Sequence, residues 1–215
     1  MISNKAKKTK ATANTLANRI NGRRAATVGL ILLAMVIAAV LSRFVLMDWP
    51  NFKPLAAIAI FAGFLCKRWW VGAASLAIIL LVSDAIIGFY ELPIMLAVYS
   101  SYFLAGGFGL AIKRKFSTSR TYAFKIGSVS LAAVAASVVF FLTTNTAVWL
   151  AGWYPQDLGG LLASWTAGIP FFKFTLASDL LFSLFLFSTY FAVEASFDLA
   201  RFGQHRSAHS AIEAR

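Results

Sequence analysis

TTNTAVWLAGWYPQDLGGLLASWTAGIPFFKFTLASD, residues 143–179, decides how the chain is read. The stretch is apolar enough to lie in or against a bilayer, yet it is not a plain spanning helix. It carries Asn145, Gln156, Asp157 and Asp179, together with Trp149, Trp153, Trp165 and Tyr154. Pro155, Pro170 and four glycines interrupt it further. Outward from it, the chain is mostly uninterrupted apolar sequence with basic ends. A protein that only crossed a membrane has no need of such a segment, so the functional end of the molecule is expected here.

Composition places the rest. Of 215 residues, 60% are hydrophobic and only 13% charged, with a mean hydropathy of +0.74. A soluble domain carries about 25% charged residues, so this chain belongs to the membrane class. The net charge of +12 does not indicate nucleic acid, because the bases flank apolar runs and form no basic face with interleaved aromatics. Cys66 is the single cysteine, which excludes an intrachain disulfide and a cysteine metal cluster.

Six apolar runs cover residues 25–41, 52–66, 69–88, 92–112, 122–150 and 171–193. The expected fold is an all-α integral membrane bundle of six transmembrane helices, with a short re-entrant or interfacial segment at 158–167 before the last. Residues 1–24 form a basic cytoplasmic tail, 25–193 a single transmembrane domain, and 194–215 a polar cytoplasmic tail. A basic stretch before an apolar run also suits a signal peptide. The tail is long for one, and no small-x-small cleavage site precedes Arg43, so an uncleaved first helix is expected. Trp49 suits an interfacial anchor, and Pro54 suits the first turn of a helix. The fifth run is expected to break or bend at Thr143, Thr144, Asn145 and Thr146, whose side chains compete for the backbone.

The charges agree with six spans. With both termini in the cytoplasm, seventeen of the twenty basic residues fall inside. Only Arg43, Lys53 and Lys173 fall outside, as the positive-inside rule requires. Asp48, Asn51, Asp84, Glu91, Asn145, Asp157 and Asp179 then gather at or near the outer face. Binding chemistry is therefore expected to open outward, at the inner (cell) membrane.

Thr175, Asp179 and Ser183 share one helix face by their i, i+4, i+8 spacing. A carboxylate at mid-membrane costs about 2.5–3.5 kcal/mol on insertion scales, less near the interface, and usually faces a bundle interior or a wet cavity. Asp179 reads as the polar wall of a ligand pocket or part of an ion relay, or as an interfacial group paired with Lys173 or capping a helix. Asp84 reads as lining the same cavity, or as a loop residue. Asn145 reads as lining a cavity at a helix break, or as a plain kink. Trp149, Trp153 and Tyr154 suit stacking on a planar ligand, or the aromatic belt of any membrane protein. Asn51, in the first outer loop, completes the candidate ligand-binding set. Ala34 and Ala38 form a small-x-x-x-small contact pattern, as do Ala73 with Ala77 and Ala132 with Ala136. His205 and His209 lack a third ligand, so no metal site is expected, and no cofactor. No phosphate loop, nucleophile elbow or zinc-protease motif is present.

The runs TNTAVWLAGWYPQDLGGLL and AGIPFFKFTLASDLLF, with NFKPLAAIAIFAGF and LLVSDAIIGFY before them, resemble a bacterial family of small, uncharacterised membrane proteins assigned to transport. The resemblance covers about residues 50–190. This chain departs from it at Asn145–Thr146, where Asn-Phe is frequent, and at Ser164–Trp165, where a small residue or Cys precedes Tyr. That family is in turn similar to the substrate-binding (S) subunits of energy-coupling-factor (ECF) vitamin transporters. The likeness implies six helices and capture of a vitamin or similar molecule from outside. It also implies pairing with a membrane coupling subunit and ATPase subunits, through the small-residue motif that Ala34 and Ala38 match. The expected activity is therefore binding for uptake, in contact with the lipid bilayer and without catalysis or nucleic acid. The alternatives are a membrane scaffold that docks another protein, and an intramembrane enzyme using Asp84 with Asp179.

Overall fold

The computed structural model of the chain describes residues 51–66, 69–116 and 121–213, with scattered positions between 15 and 45. Asp48, Trp49, Pro50, Arg43, Lys67, Arg68, Arg120 and most of the N-terminal tail lie outside the described residues. From residue 51 onward the described residues form five helices in order: α1 (Leu55–Leu65), α2 (Trp69–Ile87), α3 (Leu92–Lys115), α4 (Tyr122–Val148) and α5 (Leu158–Glu213). A π-helical turn, Trp149–Trp153, extends α4. The described positions between 15 and 45 are also helical, and no strand occurs among the described residues. The chain divides into two compact units, Met1–Ala34 with Thr189–Arg215, and Met35–Ser188. The candidate site lies in the second.

Among the described residues, three helices are long and apolar enough to cross a membrane: Leu92–Lys115, Tyr122–Trp153 and Leu158–Leu199. Large apolar side chains around them are exposed, among them Leu96, Leu104, Leu131 and Phe185. Apolar surface on that scale suits lipid and not water. The chain is an all-helical, membrane-associated protein.

α1 sits at the centre. It is buried on all sides from Leu55 to Phe61 and again at Phe64, the pattern of a core helix with no solvent face. Its 11 residues span about 16 Å, half of a ~30 Å hydrocarbon layer. The second apolar run is therefore a short inner helix. It crosses α3 closely through small residues: a Cβ on Gly63 would collide with the Gly106 carbonyl, and one on Gly109 with the Ile60 carbonyl. Small residues let two backbones approach where the hydrophobic effect between helices is absent. On another side, Phe187 of α5 meets the rings of Phe61 at 5.0 Å and Phe64 at 5.1 Å. The Lys113 ammonium donates to the carbonyls of Leu65 (3.4 Å) and Cys66 (3.1 Å). It thereby satisfies the C-terminal end of α1 and its partial negative charge.

Pro54 is the N-cap of α1 and not its first-turn residue. The backbone before it is irregular, with Asn51 at φ 59°, a left-handed conformation that asparagine tolerates better than most residues. This segment lies on α5. The Phe52 ring is 5.8 Å from Phe182, and the Ser178 hydroxyl donates to the Lys53 carbonyl at 3.3 Å.

Two further local expectations are corrected. The first is the break at residues 143–146, which does not occur. Thr143, Thr144 and Asn145 each donate, at 2.7 Å, to the carbonyl four residues earlier, of Val139, Phe140 and Phe141. The polar groups are satisfied within the helix, so α4 continues through them. The chain turns instead at Gly152, where φ is 88°, a conformation that costs glycine nothing.

The second is the separate segment at 158–167, which forms the first turns of α5. Asp157 caps this helix by accepting from the Gly160 N–H at 2.7 Å. A Cβ on Gly160 would strike the Pro155 carbonyl, so a glycine is needed where the loop folds back. α5 then runs through Pro170. Proline removes one backbone donor, and helices in apolar surroundings absorb that loss through local adjustment. Leu158–Leu199, 42 residues, is roughly 60 Å long, about twice the hydrocarbon layer.

Candidate functional site

A cleft in two adjoining chambers opens beside α1, between α3, α4 and α5. The first chamber, about 150 Å³, is lined by Asn51, Lys53, Tyr90, Tyr102, Thr175 and Asp179, among others. The second, about 240 Å³, is lined by Thr144, Asn145, Phe141, Gly168, Phe171 and Phe172. Asn51, Val98, Phe140 and Thr175 border both. The irregular backbone of residues 51–53 brings Asn51 and Lys53 to this cleft. Non-helical backbone in an apolar setting is tolerated where it lines a cavity.

Asp179 is the most constrained group. It is 2% exposed, and the Ser137 hydroxyl donates to its Oδ2 at 2.7 Å. An ionised carboxylate offers about four acceptor positions, and no second partner meets this one among the described residues. Burial without full hydrogen bonding is costly. A group in that position, at the wall of a cavity, is prepared for a donor that enters the cavity.

At the other end, Asn145 donates to the Phe141 carbonyl through Nδ2 at 2.7 Å. Its backbone carbonyl accepts from the Ser164 hydroxyl at 2.7 Å. The side-chain amide fits because Gly168 faces it, and a Cβ there would overlap the amide. Trp165 donates to the Thr146 hydroxyl at 3.1 Å. These contacts zip the end of α4 to the start of α5 and hold Asn145 at the second chamber.

The structure thus brings Asn51, Asn145 and Asp179 together. It places the other candidates elsewhere. Asp84 is fully buried and accepts from the Tyr99 hydroxyl at 2.8 Å, tying α2 to α3; it lines neither chamber. Trp149 donates to the Pro155 carbonyl at 2.8 Å. Trp153 donates to the Glu91 carboxylate at 3.0 Å, and Gln156 donates to the carbonyls of Trp149 and Tyr154. Trp149, Trp153 and Tyr154 shape the loop at the end of the cleft and do not line it. Ala34 and Ala38 are helical and exposed.

Residues that sequence reading left out of the site include Lys53, Tyr90, Tyr102 and Phe140. Lys53 carried a signal, as one of three bases on the wrong side of the charge rule. The aromatics carried none: among twenty Phe, nothing local marks those that wall a cavity. Tyr102 is buried and its ring lies 5.4 Å from that of Phe140.

A family model matches residues 24–203. The chain belongs to DUF6580, a family of unknown function. No curated protein and no solved structure matches it. The matched region contains all five helices up to residue 203 and every residue of the cleft. No group of three or more metal-ligating side chains occurs among the described residues.

Proposed function

We propose that this protein is a six-helix, multi-pass membrane protein that captures a small organic molecule in the cleft from its outer face, for uptake. In this reading it works in the manner of an ECF S subunit. A vitamin or vitamin precursor is the substrate class. Both termini are cytoplasmic, and the bases at the end of α3 mark the inner face. A membrane coupling subunit with ATPase subunits supplies the energy, since the chain has no phosphate loop of its own.

One observation carries the reading. A buried carboxylate with a single hydrogen-bond partner borders a cavity, in a wall that also holds an ammonium and two amides. A bundle that needed only to stand in a membrane would gain nothing from that arrangement. Apolar walls with a few convergent polar groups are the usual make-up of a small-molecule site. The long first turns of α5, the Gly152 loop and the Trp153–Glu91 bond support an entrance at the same end. Exposed Ala34 and Ala38 support a helix contact with a coupling partner.

The test is mass spectrometry of small molecules released from gently purified protein, with Asn145→Ala and Asp179→Ala alongside. A stoichiometric compound that both variants lose is the expected result. A blank after incubation with a vitamin panel, or equal retention by both folded variants, would sink the proposal.

A further inference from the structure

The charges around the first chamber narrow the class of its occupant, an inference that rests on reading the cleft as a binding site. Two charged groups border that chamber, Lys53 and Asp179, and their situations differ. Lys53 is half-buried and has an interaction of its own, so it needs nothing from an occupant. Asp179 is buried. Its one hydrogen-bond partner is the neutral Ser137 hydroxyl, and no ion pair reaches it among the described residues. The charge left open in the cleft is therefore negative.

Cost decides what would satisfy it. A neutral donor can hydrogen-bond to the carboxylate, but it leaves the charge uncompensated, and an uncompensated buried charge is the expensive case. A cation supplies the opposite charge. Where it carries an N–H, it supplies a charge-assisted hydrogen bond as well. A metal ion suits the site poorly, because it takes several ligands at once. No group of three or more His, Cys, Asp or Glu side chains that could hold one occurs among the described residues. An organic cation suits the rest of the wall. Tyr102 and Phe140, stacked with centroids 5.4 Å apart, border the same chamber, and aromatic rings attract a desolvated cation.

The second chamber sets the body of the molecule. It adjoins the first at Val98, Phe140 and Thr175. Phe141, Phe171 and Phe172 wall it, and no charged side chain borders it. Such a wall takes an uncharged apolar or aromatic group. At about 150 and 240 Å³, the two chambers hold a compact molecule.

We infer that the occupant is a compact organic cation. Its positively charged nitrogen lies in the first chamber against Asp179, and its uncharged apolar or aromatic body fills the second.

The experiment equilibrates wild-type protein, Asp179→Asn and Ser183→Ala with a boiled, protein-free metabolite extract of the host cells. Mass spectrometry then identifies what each releases. Asp179→Asn keeps the shape of the side chain and removes its charge. Wild type should release one compound that carries a positively charged nitrogen at neutral pH and no negative group. Folded Asp179→Asn should retain roughly tenfold less of it per mole, or lower still, since the compensating charge is gone. Ser183→Ala, altered one turn along α5 and outside both chambers, should retain as much as wild type. A neutral, zwitterionic or anionic compound overturns this inference and leaves the uptake reading standing. So does equal retention by folded Asp179→Asn, or an equal loss from Ser183→Ala. Release of nothing from wild type overturns both. Where Asp179→Asn fails to fold, the charge of the wild-type compound alone decides.

Discussion

Two buried serines, Ser137 on the helix facing Asp179 and Ser183 one turn after it on the same helix, have opposite value. Ser137 and Ser183 are both fully buried. Ser137 donates to Asp179, whereas the Ser183 hydroxyl has no hydrogen-bond partner. Removing a partner from a buried charged group costs about 1–3 kcal/mol. Deleting a hydroxyl that is already unsatisfied removes a penalty instead. Ser137→Ala should therefore destabilise the folded protein by about 1–3 kcal/mol, and Ser183→Ala should be neutral or stabilising by up to about 1 kcal/mol. Thermal unfolding in detergent ranks the two; equal losses would mean that Asp179 gains nothing from Ser137. The spacing of Thr175, Asp179 and Ser183 was legible in the sequence as a shared face. Which hydroxyl on the neighbouring helix would meet the carboxylate was not, because that depends on how α4 and α5 are paired.

Elements were legible where long apolar runs left a helix as the only choice, and less so where two helix-weakening signals competed. Residues 143–146 and Gly152 both weaken a helix. Back-bonding to carbonyls four residues earlier keeps the first helical, and the positive φ at Gly152 ends the second. The Gly63–Gly106 and Gly109–Ile60 contacts were equally hidden, since fourteen glycines look alike until a partner backbone is in place. Gly109→Ala forces backbone against backbone, which cannot yield as a side-chain tip can. It should cost about 1–3 kcal/mol or more. Gly107→Ala, two residues away on a face with open space, should instead be neutral or gain up to about 1 kcal/mol. Unfolding of both variants checks this, and a costly Gly107→Ala would refute the crossing geometry. The Trp153–Glu91 bond joins the α2–α3 loop to the turn after α4, and both partners are exposed. Trp153→Phe keeps the ring and removes the donor, a change of about 0.5–1.5 kcal/mol. Hydrogen exchange should rise in residues 88–91 and 149–157, with retention in the cleft falling by no more than about tenfold. Unchanged exchange would mean the bond does not hold the loops.

At the scale of the molecule, α3 is the element that ties the site to a direction. At its start stand the exposed Phe89 and Glu91, beside the Trp153 loop. At its end stand Lys113, Arg114 and Lys115, with Lys113 on the carbonyls that close α1. The sequence separated these two sets of charges before any helix was placed, since lysine and arginine obey a bias that acts on loops. The separation is physical in the fold, because the 24 residues of α3 reach about 36 Å, enough for a ~30 Å layer. If α3 crosses with its basic end inside, the cleft opens outward, as uptake requires. The lone cysteine makes the test clean. In a Cys66→Ser background, Phe89→Cys should react with a membrane-impermeant maleimide in intact cells. Lys115→Cys should react only after permeabilisation. Reaction of both from outside would show that α3 does not cross. The reverse pattern would turn the cleft toward the cytoplasm, and the proposal of capture from outside would then fail even if the cleft binds a ligand.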